Sequence, residues 1–155
     1  MVLHIVRRDS GGASSPSHSR SSVTQTAVGA PRNMLVDGKI AQKLAEIAFI
    51  GAFLGQTQAA ETIFRSLRIL RPDNPTVGLG LAMVHMLAGR PEAGLAVVDR
   101  TPGLDPEHGL AAICTSLMLR DAGHRTAAEK KLSRAIARGD VAPDLVPTLS
   151  SAMRE

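Results

Sequence analysis

Six side chains of this sequence are the most able to bind a metal ion or to act as a base or nucleophile. They are His4, His18, His85, Cys114, His108 and His124. No HExxH pair and no second cysteine accompanies them, so their spacing matches neither a zinc site nor a disulfide-exchange site. The sequence therefore predicts no catalytic residue, no metal and no cofactor, and we expect a protein that is not an enzyme.

The residues of this group that lie in apolar segments have ordinary structural explanations. His85 has no evident orienting carboxylate, so we expect a core histidine with a backbone hydrogen-bond partner rather than a base. Cys114 lies in a helical pattern without a histidine beside it and is expected to be a small buried side chain. Gly78 and Gly80 do not form a phosphate loop, because no strand precedes them and no GK[ST] follows.

The segment that holds His85, residues 76–89 with the sequence TVGLGLAMVHMLAG, is apolar on every face of a helix. A helix of this kind must be covered on all sides by protein or lipid. A bilayer span needs about 20 apolar residues, so we expect no membrane insertion. The rest of the chain, or a binding partner, must cover it.

Composition and charge favour one helical domain that does not bind nucleic acid. Among 155 residues there are three Phe and no Trp or Tyr, which leaves aliphatic residues and alanine to form the core. Of the net charge of +4, residues 1–32 carry +3, and the remaining 14 basic and 13 acidic residues nearly balance. Such a domain has neither the basic excess nor the aromatic platforms that nucleic acids require.

The first 33 residues differ from the rest of the chain. Residues 1–33 include a stretch rich in Ser and Gly without apolar periodicity, and we expect a disordered tail. Met34 stands just before the first periodic segment, so an extension from an upstream start site is an alternative explanation. Residues 34–155 are expected to form the folded domain. With one cysteine and no recognisable secretory signal, a reducing cytoplasm is expected.

From Gly38 onward, residue types recur with a period of 34. The recurring sets are Gly55, Gly89 and Gly123; Pro72 and Pro106; Ala59, Ala93 and Ala127; Ala60, Gly94 and Ala128; and Phe64, Val98 and Leu132. A period of this length is typical of stacked helix pairs. The glycines should end the first helix of each pair in left-handed backbone, the small residues should lie at the helix crossing, and the bulky residues should fill the seam.

This pattern resembles the tetratricopeptide repeat over Gly38 to Ala142, although the large aromatic residues usual in the first helix are missing. The resemblance implies an all-α fold: a tetratricopeptide-repeat helical solenoid of three helix pairs plus a C-terminal capping helix. The predicted helices are 40–53, 57–70, 75–88, 91–100, 108–121 and 125–138. A short helix over 144–153, N-capped by Asp144, should cover the open end.

In repeats of this family the first helix of each pair lines the concave side of the stack. The partner-binding residues that the resemblance implies are Ala45, Phe49, Phe53, Leu79, Met83, Met86, Leu110, Ile113 and Leu117. Gln42, Thr76, Arg120 and Asp121 belong to the same face. Arg120 is its only cation, so we expect no clamp for a peptide carboxylate. A basic stripe on the last repeat helix is expected to be a solvated face or to meet an acidic partner. It consists of Lys130, Lys131, Arg134 and Arg138.

An apolar groove that bears methionines suits the apolar face of an amphipathic helix. The alternatives are that two copies of the chain cover each other's walls, which predicts a homodimeric scaffold or adaptor, or that these residues pack only among themselves. Left empty, so large an apolar patch would favour aggregation.

A narrower resemblance concerns bacterial type III secretion. The segments LAEIAFIG (residues 44–51), Ala60, Glu61 and Phe64, LRPD (residues 70–73) and GLGLAMVHMLAGR (residues 78–90) are similar to those of the small tetratricopeptide chaperones for needle and apparatus subunits, and more distantly to translocator chaperones. The resemblance implies a chaperone in the bacterial cytoplasm that holds one amphipathic helix of a small secreted subunit, in some cases with a second small co-chaperone.

Overall fold

The computed structural model describes residues 37–154, and within this range the chain forms seven α-helices and no strand. The helices are α1 (Gly38–Phe53), α2 (Thr57–Leu70), α3 (Pro75–Leu87), α4 (Pro91–Asp99), α5 (Gly109–Asp121), α6 (Arg125–Arg138) and α7 (Val146–Ala152). All predicted helices are present, and their ends differ from prediction by at most two residues. The predicted tail, residues 1–33, lies outside the described residues.

The three glycines of the 34-residue period end the first helices in the predicted way. Gly55, Gly89 and Gly123 have φ angles of 84°, 70° and 84°. Such left-handed backbone is sterically costly for a residue with a Cβ atom. At the first of these turns the amide of Gly55 donates to the Ala52 carbonyl and that of Gln56 donates to the Gly51 carbonyl. These two hydrogen bonds form a Schellman motif, which reverses the chain into the second helix.

Each of these turns joins two helices that pack closely on each other, α1 on α2, α3 on α4 and α5 on α6. Small residues allow the close approach: a Cβ atom on Gly94 would lie 2.8 Å from the carbonyl oxygen of Ala82. Phe64, Val98 and Leu132 are all buried in the seams. The predicted roles are therefore confirmed for the bulky set and for Ala60, Gly94 and Ala128, whereas the set of Ala59, Ala93 and Ala127 is not buried at the crossing.

Helix α3 is covered along most of its surface, as its all-round apolarity predicts. Its buried residues are Val77, Gly78, Leu79, Gly80, Leu81, Ala82, Val84 and His85. The chain supplies this cover itself, since α3 contacts α1, α2, α4 and α5. A helix covered in this way needs no lipid, and a partner would have to cover only a small part of its surface.

The C-terminal helix begins later than expected and without the predicted cap. Helix α7 starts at Val146, and its N-cap residue is Leu145, which makes no side-chain cap bond. The amide of Leu145 donates to the Ala142 carbonyl, so Asp144 lies inside a turn instead of at the helix start. Pro147 occupies the first helical turn, where an amide would have no partner in the helix. Helix α7 still covers the last pair through Met153, which is buried against Leu132.

Two glycines inside α3 make room for side chains of its neighbours. A Cβ atom on Gly80 would lie 2.7 Å from Cζ and 3.0 Å from Cδ1 of the Phe64 ring, and nearer still to Cε1. A Cβ atom on Gly78 would lie 2.9 Å from Cβ of Thr101. Both neighbours are buried and cannot move into solvent. These glycines therefore set how closely α3 approaches α2 and α4.

We expect Gly80→Ala to lower the free energy of unfolding by about 1–3 kcal/mol, because overpacking against Phe64 outweighs the better helix propensity of alanine. Gly51→Ala is the matched control, since a Cβ atom there meets only the Cβ atom of Gln56, at 3.8 Å. The control should raise stability by up to about 1 kcal/mol. Urea denaturation followed by circular dichroism measures both. A stabilising effect of Gly80→Ala would contradict the close approach.

Candidate functional site

The first helices of the three pairs lie next to one another, with α3 in contact with both α1 and α5. Six of the predicted partner-binding residues are partly exposed along these helices. They are Ala45, Phe49, Met83, Met86, Ile113 and Leu117. We call these six the apolar wall. It occupies the surface that the sequence assigned to partner binding.

A pocket of about 230 Å³ lies between α1 and α3 at one end of the apolar wall. Its lining is mostly apolar and consists of Gly38, Ala41, Gln42, Ala45, Phe49, Phe64, Arg71, Asn74, Thr76 and Val77. Phe49 is held by an edge-on contact with Phe64, with ring centroids 4.9 Å apart. The volume exceeds the roughly 150 Å³ of a protein cavity known to bind benzene. The pocket can therefore accept one large apolar side chain.

Leu79 does not belong to the exposed surface, contrary to the sequence prediction. It is 6% exposed and packs in a core cluster with Ala82, Val98 and Cys114. The reason is that α4 and α5 both pack against α3 and enclose this side chain between them. Leu79 stabilises the contact between the second and third pairs and is not available to a partner. Burial of Cys114 in the same cluster raises the pKa of its thiol to about 11, as expected of an inert cysteine.

Phe53 and Leu110, the two remaining predicted residues, are strongly exposed. Phe53 is the last residue of α1 and Leu110 is the second residue of α5. Exposed aromatic and leucine side chains of this size extend an apolar surface toward its rim. Both remain candidates for partner contact at the ends of their helices.

Arg120, the one cation predicted on the wall, is held by the protein itself. Its guanidinium pairs with Asp121 and donates a hydrogen bond of 2.9 Å to the carbonyl oxygen of Ala152 in α7. Two cations of the predicted basic stripe are also engaged: Lys131 pairs with Glu107, and Arg138 pairs with Asp140. These contacts tie α5 and α6 to neighbouring segments.

A family model for the tetratricopeptide repeat matches residues 54–115, from the end of α1 to the middle of α5. The fold is a tetratricopeptide-repeat helical solenoid. The tetratricopeptide repeat is typically a non-catalytic repeat that mediates protein–protein interaction. No curated protein and no solved structure matches the chain significantly.

Within residues 37–154 of the solenoid, no group of three His, Cys, Asp or Glu side chains could hold a metal ion. No helix in this range is long and apolar enough to cross a membrane.

The solenoid also contains a charged cluster around the enclosed carboxylate of Glu61, which the sequence pattern did not predict. The carboxylate of Glu61, on α2, pairs with Arg90 at 2.6 Å and with Arg65 at 2.5 Å. Its Oε1 atom also lies 3.9 Å from Nε2 of His85. The hydrogen bond from Arg90 holds the pKa of Glu61 below its usual range, despite the opposing effect of burial. The cluster links α2 to α3 and to the turn before α4.

His85 therefore differs from its prediction in two respects. A carboxylate does lie beside it, and its buried Nδ1 atom has no hydrogen-bond partner among the described residues. Burial lowers the pKa of His85, because a charged imidazole loses its hydration there, and Glu61 only partly compensates. One signal was available in the sequence: Glu61 follows the buried Ala60 in a helix whose other buried positions are apolar.

The lowered pKa of His85 makes stability depend on pH. The unfolded chain takes up a proton near pH 6.5 and the folded chain only at lower pH, so the free energy of unfolding should fall as pH drops below about 6.5. Below about pH 4.5, protonation of Glu61 should lower the free energy of unfolding further, because the pKa of Glu61 is lower in the folded chain than in the unfolded chain. Urea denaturation between pH 7.5 and pH 4, as a rough range, measures both.

His85→Gln should reduce the pH dependence between about pH 6.5 and pH 5, because the titrating group is removed. His124→Gln is the matched control, since His124 is exposed at the start of α6. If the free energy of unfolding of His85→Gln depends on pH as steeply as that of the wild type, His85 is not the titrating group.

Proposed function

We propose that this protein is a type III secretion chaperone of the bacterial cytoplasm, which binds and sequesters an amphipathic helix of a small secreted needle or apparatus subunit. The bound helix lies along the apolar wall. A second small co-chaperone is a further partner in the complex of chaperone and subunit.

The observation that carries this proposal is the pocket between α1 and α3, beside the partly exposed apolar side chains of the apolar wall. An amphipathic helix presents apolar residues at intervals of three and four. One large anchor residue would enter the pocket beside Phe49, and the following turns would pack along Met83, Met86 and Leu117. The methionines adapt to the shape of the anchors because their side chains are flexible and polarisable.

The apolar wall suits the sequestration of an aggregation-prone segment better than recognition of a charged peptide end. A helix that buries several hundred Å² of apolar surface gains on the order of 10 kcal/mol before ordering costs. Arg120 is held by Asp121 and by the α7 backbone, which leaves it poorly placed to grip a terminal carboxylate. Apolar anchors must therefore provide most of the affinity.

The resemblance to secretion chaperones supports the finer part of the proposal. Several residues that carry the resemblance have structural roles here: Ala60 and Phe64 are buried between helices, and Arg71 lines the pocket. Gly78 and Gly80 set the spacing of α3 from its neighbours. The same residues that resemble the chaperones thus shape the surface on which a subunit helix would lie.

The direct test is co-expression of the chain with the small proteins encoded beside its gene, followed by affinity purification. We expect one small subunit to co-purify in a stable complex. Purification of the chain without any of these proteins would contradict the chaperone proposal.

Met83→Glu combined with Leu117→Glu should weaken capture of that subunit by about 100-fold or more, because two charges would be buried in the contact. Both side chains are partly exposed in the free protein, so helical content should be retained. Ala127→Glu, an exposed position on α6, is the control and should bind normally. Isothermal titration with the purified subunit measures the change. Undiminished binding by the double variant would exclude the apolar wall as the site.

Filling the pocket provides an independent test. Ala45→Phe should place a ring in the pocket and exclude the partner's anchor residue, which weakens binding by roughly 10- to 100-fold, the value of one buried large side chain. Ala59→Phe, at an exposed alanine of α2, is the matched control. If the filled pocket binds the subunit as well as the wild type does, the pocket does not hold an anchor.

A further inference from the structure

The pocket between α1 and α3 combines an apolar lining with several polar side chains. The apolar part of the lining comes from Ala41, Ala45, Phe49, Phe64 and Val77. The polar side chains are those of Gln42, Arg71, Asn74 and Thr76. Binding sites for one specific group typically have such a lining, because the apolar part gives affinity and the polar groups fix the orientation. The lining therefore indicates which kind of anchor residue the pocket takes.

The volume of the pocket favours an aromatic ring over an aliphatic side chain. At about 230 Å³ it exceeds the roughly 150 Å³ of a cavity that holds benzene, so a substituted benzene ring has room. A leucine or isoleucine side chain is smaller than benzene and would leave part of the pocket empty. Lining atoms that face an empty space lose their dispersion contacts, so incomplete filling weakens binding.

Two phenyl rings in the lining are a second reason to expect an aromatic ligand. Phe49 and Phe64 are in edge-on contact, with ring centroids 4.9 Å apart and an angle of 63° between the ring planes. Phe64 is fully buried, whereas Phe49 is partly exposed. A further ring placed against Phe49 would gain from an edge-to-face contact in addition to the burial of its area.

The polar side chains favour a ring that bears a hydroxyl group. In the described part of the chain, the amide nitrogen of Gln42 donates to Glu46 at 2.9 Å, which leaves the carbonyl oxygen of Gln42 to accept from a ligand. The side-chain oxygen of Asn74 accepts from the amide of Thr76 at 3.0 Å, which leaves the side-chain nitrogen of Asn74 to donate. A phenol can both donate and accept a hydrogen bond. A purely apolar ring would remove water from these groups without replacing its hydrogen bonds.

The charge of the lining favours the same group. Arg71 lines the pocket, and no carboxylate from residues 37–154 does so. A guanidinium has several N–H donors, so Arg71 can donate to a phenolic oxygen and keep its contacts within the protein. An acidic side chain would match the charge of Arg71, but its carboxylate would lose hydration against the apolar lining.

We propose that this pocket binds a phenolic ring, the side chain of a tyrosine on the partner helix. The ring packs on the apolar lining beside Phe49, and the polar side chains of the lining bind its hydroxyl group. The assignment of the ring to a partner helix rests on the proposed function, in which the pocket holds an anchor residue of that helix. The preference of the pocket for a phenol can be measured without any partner.

Solution NMR of the full-length chain, titrated with p-cresol, toluene or benzoate, tests this preference. The three probes reproduce the side chain of tyrosine, that of phenylalanine and an aromatic acid. We expect p-cresol to shift the amide signals of Ala41, Ala45 and Val77, and to bind roughly 3- to 10-fold more tightly than toluene, the value of one net hydrogen bond. Benzoate should bind more weakly than p-cresol, because the apolar lining does not replace the hydration of its charge.

Two variants locate the ring and the hydroxyl contact. Ala45→Phe should abolish the shifts with p-cresol and toluene while circular dichroism stays unchanged, because its own ring occupies the pocket. Gln42→Leu combined with Thr76→Val should lower the affinity for p-cresol by roughly 3-fold or more and should not lower that for toluene, because hydrogen-bonding groups are lost and apolar contact is kept. Thr126→Val, at an exposed threonine of α6, is the control and should bind both probes as the wild type does.

Toluene or benzoate binding as tightly as p-cresol would overturn the proposal. So would the absence of shifts with p-cresol, whether the pocket is too narrow or another part of the chain fills it. An undiminished affinity for p-cresol in the double variant would also overturn it, because the hydroxyl group would then not be bound by the lining.

The proposed function and this inference fail in different ways. A chain that prefers p-cresol but captures no subunit would contradict only the proposed function. A captured subunit with no tyrosine on its bound helix would contradict only the inference about the pocket. In a subunit that has one, replacement of this tyrosine by phenylalanine should weaken capture by roughly 3- to 10-fold, as measured by isothermal titration.

Discussion

The solenoid depends on the close approach of its helices at small residues. Ala48, Ala82 and Ser116 lie 34 residues apart on the first helices and are almost completely buried. Ala60, Gly94 and Ala128 lie on the second helices and are also buried, and Gly94 lies against the backbone of Ala82. Because Phe64 is the only fully buried aromatic residue among residues 37–154, the core cannot fill wide gaps, and the helices must approach closely to reach normal packing density. Every larger side chain then has to fit where a glycine or alanine leaves room for it.

The same constraint determines which apolar residues remain at the surface. Close packing encloses α3 so fully that Leu79, Leu81 and Val84 are all buried. Among residues 37–154, helix α1 has a neighbouring pair on one side only, and Ile40, Ile47 and Ile50 stay exposed. The apolar wall and these exposed residues therefore have different origins. The wall follows the first helices along the stack, while the exposed isoleucines result from the position of α1 at the start of the described stack.

The charged cluster of Glu61, His85 and Arg90 is the exception to this apolar packing. It occupies the junction of α2, α3 and α4, where a carboxylate is neutralised by two arginines and a neutral imidazole lies beside it. Both arginines reach solvent, which screens their attraction to the carboxylate, so the group adds little net stability. It also couples the junction between the first two pairs to the protonation of one histidine, which an aliphatic cluster would not do.

Local sequence determined the helices of this protein with little help from tertiary structure. The period of 34, the left-handed glycines and the small and bulky columns can be read from the sequence alone. They predicted the boundaries of six helices, in three pairs, to within two residues. The N-cap at Asp144 was wrong because a turn closed by Ala142 and Leu145 competes with it. Turn and cap use the same few residues, and the sequence pattern does not decide between them.

Tertiary structure alone decided which face of each helix is covered. Leu79 and Phe49 were both predicted to contact a partner, yet Leu79 is buried and Phe49 lines a pocket. Helices α4 and α5 enclose Leu79, whereas the pocket beside Phe49 is open. The proximity of Glu61 to His85 arises from the packing of α2 on α3. Burial depends on what the neighbouring helices bring to each position, and that is a property of the stack rather than of any segment of the sequence.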